Sequence, residues 1–81
     1  MKTENNLEEM KKMQEQIAKL ELIAKNQMTN SAVSRYGTLK SAHPKKALQA
    51  ATIIAQLVSQ NQIQEKITDE QFKQLLISME Q

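Results

Sequence analysis

Between residues 22 and 61 the chain carries Lys25, Arg35, Lys40, Lys45 and Lys46 and no acidic residue, with His43 set among the lysines. Lysine and arginine neutralise phosphates and release condensed counterions without needing any particular base, so such a block can hold a nucleic-acid backbone. Lys40, Lys45 and Lys46 flank one loop and one expected helix start, where free backbone amides also receive a phosphate. The plainer reading is a solvated charged face. The net charge of +2 is ordinary for a small domain, and composition alone favours that plainer reading.

Other chemistry is thin. His43 is one imidazole before a proline, suited to a phosphate contact, a helix cap or a plain loop position, and not by itself to a metal site. Ser41 lies two residues away, but no third residue or oxyanion donor completes a nucleophilic site, which points away from an enzyme. With no cysteine there is no disulfide, thiolate zinc ligand or thiol nucleophile, and a reducing cytoplasm is the expected compartment. No cofactor and no metal are implied. Tyr36 and Phe72 are the only aromatics and sit on apolar stripes, which marks them as core before base-stacking platforms. Met10, Met13 and Met28 offer either helix filler or an adaptable docking edge.

The elements that must position these groups are helical, since Ala, Leu, Ile, Gln, Lys, Glu and Met dominate and Gly37 and Pro44 stand alone. Eighty-one residues make one domain with a modest core. No apolar run spans a bilayer: the most apolar stretch, Ala50 to Ala55, is far too short, and the N-terminus has no export signal. A first helix is expected from Thr3 or Asn5 toward Lys25, with Leu7, Met10, Ile17, Leu20 and Ala24 on one face. Its first half is poor in apolar residues and reads as frayed and solvated.

Thr29, Asn30 or Ser31 caps a second helix bearing Ala32, Val33, Tyr36 and Leu39, weakened by Gly37. His43-Pro44 breaks the pattern, and Pro44 opens a third helix whose Ala47, Ala51, Ile54 and Val58 stripe makes it central and most buried. Asn61 ends that helix in left-handed geometry, and a connector, Gln62 to Ile67, turns Ile63 and Ile67 inward. Thr68-Asp69-Glu70-Gln71 has the form of a capping box, starting a fourth helix with Phe72, Leu75, Leu76 and Met79 buried. The fold class is therefore all-α. Charge follows this division: residues 1–21 are near neutral, the middle block is basic, and residues 62–81 are acidic by two.

From about Met28 onward, the order of these features resembles the programmed cell death protein 5 family. The residues that carry the likeness are Met28-Thr29, Ala32, Arg35 and Leu39-Lys40, then His43-Pro44-Lys45, then Ile54-Ala55-Gln56-Leu57 and Gln62-Ile63. The stretch Ile67 to Leu76 is the most specific, and the likeness covers roughly two-thirds of the chain. The sequence departs from the family pattern at Asn30, Val33, His43 and Asn61, and two usual basic positions are lost.

The resemblance implies a compact three-helix bundle core, residues 27–81, preceded by a more mobile N-terminal helix, residues 1–26. It implies double-stranded DNA as partner, bound without sequence selectivity through Lys25, Arg35, Lys40, His43, Lys45 and Lys46. The chain ends without the basic extension of eukaryotic members, which favours the archaeal, DNA-binding branch. Those eukaryotic relatives act through protein partners, including the cytosolic chaperonin. A protein-interaction adaptor working through the N-terminal helix is therefore the alternative, and a monomer is expected in either case.

Overall fold

The computed structural model describes the backbone of residues 2–80 and the side chains of residues 6–80. Four helices follow one another: α1 (Lys2–Asn26), α2 (Asn30–Ala42), α3 (Pro44–Ser59) and α4 (Asp69–Met79). The fold is all-α, as expected. α1 begins at Lys2, before Thr3 and Asn5, and any cap made by those two side chains lies outside the described residues.

Local chemistry sets the other boundaries. Thr29 is extended and its hydroxyl accepts from the Ala32 amide at 3.3 Å, so it is the cap of α2 among the three candidates. His43 leaves helical geometry at φ −140°, ψ 77°, Pro44 takes the first turn of α3, and the His43 amide donates to the Leu39 carbonyl at 2.6 Å. The two helices thus meet at one residue, although the His43 side chain caps neither. Asn61 closes α3 at φ 56°. Before α4, Thr68 accepts from the Gln71 amide at 3.2 Å while the Gln71 side chain accepts from the Thr68 amide at 3.0 Å, completing the capping box.

α3 is the central element. Its Ala47, Ala50, Ala51, Ile54 and Ala55 are buried, and the run of alanines lets neighbouring helices approach closely. Ala32 and Tyr36 of α2 and Phe72 of α4 pack against it, with the two rings tilted at 56° and 6.3 Å between centroids. α1 runs along α3, and its final turns belong to the core: Ala24 is buried, with Leu20 packed at the edge. From Asn6 to Gln16 every residue is exposed, including Leu7, Met10 and Met13. The molecule measures 47 × 27 × 24 Å.

One long-range tie had no counterpart in the expected elements. Met28 and Ile67 form an isolated parallel bridge, in which the Thr29 amide donates to the Ile67 carbonyl at 2.9 Å and the Ile67 amide to the Gln27 carbonyl at 2.7 Å. The Gln27 side chain adds a bond to the Glu65 carbonyl at 3.0 Å. The α1–α2 turn is thereby fastened to the connector preceding α4, satisfying backbone groups that no helix supplies.

Candidate nucleic-acid interface

The six basic candidates fall into three groups set by the two sides of α2 and the start of α3. Tyr36 and Lys40 are one helical turn apart on the side of α2 that faces α1. There the buried Glu21 of α1 accepts from the Tyr36 hydroxyl at 2.6 Å and pairs with the Lys40 ammonium at 2.7 Å. Lys25, one turn beyond Glu21, stands 5.5 Å over the Tyr36 ring. Arg35 lies on the other side of α2 and grips Asp69 at the start of α4 through both Nε and Nη2, the latter at 3.1 Å. His43, Lys45 and Lys46 surround a third position, an open depression of 440 Å³ at the start of α3, which Gln49, Met79 and Glu80 complete. Glu80 forms an ion pair with Lys46.

Three of the five cations in the acid-free block therefore have carboxylate partners from outside it. Glu21, Asp69 and Glu80 are the residues that sequence reasoning overlooked. Glu21 had left a signal, because it falls on the buried stripe of Leu20, Ala24 and Met28, where a carboxylate needs partners. Asp69 shows in the sequence only as part of the capping-box stretch that starts the fourth helix, and Glu80 carries no signal at all.

Ionisation follows from these contacts. At Glu21 burial works against the charged form, but the hydrogen bonds from Lys40 and Tyr36 and the charges of Lys40 and Lys25 outweigh it and hold the carboxyl below its ordinary range. Burial first, and then the bond and charge of Glu21, push the Tyr36 phenol well above its usual range. The guanidinium hydrogen bond lowers Asp69, and the Lys46 hydrogen bond and charge lower Glu80, with His43 adding a smaller pull. All three carboxylates are ionised at neutral pH.

The first turn of α3 carries no acidic residue and no side-chain cap bond of its own, and the carboxylate that approaches it is Glu80, from the end of α4. The Ser41 hydroxyl donates to the Gly37 carbonyl at 3.2 Å, within its own helix. Among the described residues no group of His, Cys, Asp and Glu is arranged to hold a metal ion, and no helix is long and apolar enough to cross a membrane.

Comparison with known proteins places the chain in a family. The model of the double-stranded DNA-binding domain family matches residues 1–81. The chain belongs to this family. The likeness to the programmed cell death protein 5 family, read from residues 28–76, is the same relationship. A similar relative is a DNA-binding protein of the archaeon Thermococcus sibiricus, 34% identical over 73 residues, which are 90% of this chain and 65% of the relative. The chain thus spans just under two-thirds of that protein's length. No solved structure matches the chain.

Proposed function

We propose that the chain binds double-stranded DNA without sequence selectivity, through phosphate contacts from Lys25, Arg35, Lys40, His43, Lys45 and Lys46. The observation that carries the reading is the start of α3, where His43, Lys45 and Lys46 surround a helix terminus whose own first turn has neither an acidic residue nor a side-chain cap, with the exposed Glu80 of the α4 end as the one carboxylate beside it. Membership of a double-stranded DNA-binding domain family supports the choice of ligand. The mechanism is electrostatic: ammonium and guanidinium groups replace condensed counterions, so affinity follows salt and ignores base order. In this reading the protein is a non-enzymatic, monomeric constituent of the cytoplasm.

The test is an anisotropy titration with unrelated duplexes of equal length at roughly 50 and 200 mM salt. Equal affinities that fall steeply with salt are expected. A strong preference for one duplex would count against phosphate-only contacts, and salt-insensitive binding against the basic surface. A second reading, a protein-interaction adaptor without a direct nucleic-acid role, draws support from Leu7, Met10 and Met13, each more than half exposed on α1. It would be favoured by partner capture that survives high salt and is lost on deleting residues 1–20.

A further inference from the structure

The three carboxylates facing the basic block differ in what they lose when a phosphate takes their place. Asp69 and Glu80 have exposed or half-exposed side chains, so water can solvate either once its cation leaves, and a surface ion pair is a weak restraint. Glu21 is only 8% exposed and, among the described residues, is the one charged residue in the core. If Lys40 left it, a buried carboxylate would keep Tyr36 as its sole hydrogen-bond donor, which is a costly state. The Lys40 side chain is half exposed and could otherwise reach a phosphate.

We propose that Glu21 withholds Lys40 from DNA: the carboxylate that docks α1 on α2 also occupies a cation of the DNA-binding surface and sets its affinity below what its charge allows. This rests on the DNA-binding reading above and amends it in one respect: in the unaltered chain Lys40 belongs to the surface but is held off the phosphates. It assigns Glu21, which touches no phosphate, as a residue acting through Lys40. It also makes α1 part of the binding equilibrium, since any displacement of α1 from α2 releases Lys40 and, with it, Lys25 from above the Tyr36 ring.

The test compares duplex binding across roughly 50–200 mM salt for the full chain and four variants: Glu21→Gln, Lys40→Gln, Lys45→Gln and the double change Glu21→Gln with Lys40→Gln. A glutamine at 21 still accepts from Tyr36 but gives Lys40 no charge to hold. Glu21→Gln should steepen the log affinity against log salt by about 0.9, one added phosphate contact, and widen the span of affinities across that range about threefold. The double change should cancel the gain. Lys40→Gln alone should alter the slope by less than half as much as Lys45→Gln.

A gain that survives in the double variant, or a Lys40→Gln effect equal to that of Lys45→Gln, overturns the proposal. If Glu21→Gln fails to fold, as judged by circular dichroism, the comparison of Lys40→Gln with Lys45→Gln still decides. If the unaltered chain shows no salt-dependent binding, the DNA reading fails and this inference with it. Binding by the unaltered chain with no change in Glu21→Gln sinks the inference alone.

Discussion

A carboxylate survives in so small a core because Glu21 is met by a phenol, an ammonium and a second cation close by. Removing one of these partners is therefore more telling than removing the acid. Tyr36→Phe leaves the ring packing on Phe72 in place but takes away the hydroxyl, and should cost about 1–3 kcal/mol in urea unfolding. A change under half a kcal/mol would mean that water replaces the hydroxyl and that the carboxylate is not truly enclosed.

The same contacts fix the sign of the pH dependence. Glu21 titrates below its ordinary value of 4.5 in the folded chain, so its contribution is present above that value and is lost as pH falls through the folded pKa. Asp69 and Glu80 act in the same sense. Tyr36 titrates above its ordinary 10.0, so the folded chain holds a proton that the unfolded chain releases, and stability falls as pH rises past 10. Unfolding midpoints should therefore drop below about pH 4.5 and again above pH 10, and Tyr36→Phe should abolish the alkaline limb attributed to Tyr36.

At the scale of elements, the features legible in the sequence were those in which a residue acts on its own neighbours. Thr29, Pro44, Asn61 and the Thr68–Gln71 pair each mark a boundary through a cap, a fixed dihedral or a left-handed turn, and the structure puts every one of them to that use. The Met28–Ile67 bridge was illegible because it is made of backbone groups 39 positions apart, which carry no side-chain signature. Gly37 is the exception inside an element: it lies mid-helix in α2, exposed, and a Cβ placed there meets nothing within 4 Å. Its freedom serves the unfolded chain alone, so Gly37→Ala should raise stability by about 0.5–1 kcal/mol in the same unfolding assay. A loss would reveal a need for backbone flexibility in α2 that the helix does not display. In α3, by contrast, Ile54 is fully buried in the core it shares with Met28, Tyr36 and Phe72, and Ile54→Ala should cost about 2–5 kcal/mol.

Across the whole molecule, what the sequence concealed was the meeting of distant charges. A run of 40 residues without an acid reads as a basic surface, yet α1 and both ends of α4 bring Glu21, Asp69 and Glu80 against it. Periodicity assigns residues to faces of one helix and says nothing of which helix lies across. In the proposed binding mode these pairs decide how many cations a duplex can use. With Lys40 retained by Glu21, the contacts left are Lys25, Arg35, Lys45 and Lys46; four phosphates give a slope of log affinity against log salt near −3.6, a loss of roughly 10²-fold between 50 and 200 mM. Changing Lys45 and Lys46 together to glutamine should flatten that slope by about 1.8, and adding Lys40→Gln should flatten it little further. The Lys46–Glu80 pair is at the surface and contributes little to stability, so the helical content and unfolding midpoint of the Lys45, Lys46 double variant should stay close to those of the parent, whereas adding Lys40→Gln strips buried Glu21 of its cation and should lower the midpoint. Lys11 and Lys12, on the exposed half of α1 among Glu8, Glu9 and Glu15, serve as controls whose replacement should shift the slope far less. Should the triple variant bind duplex DNA with the parent's affinity and slope, the middle block is a solvated face, and the exposed methionines of α1 become the surface to pursue.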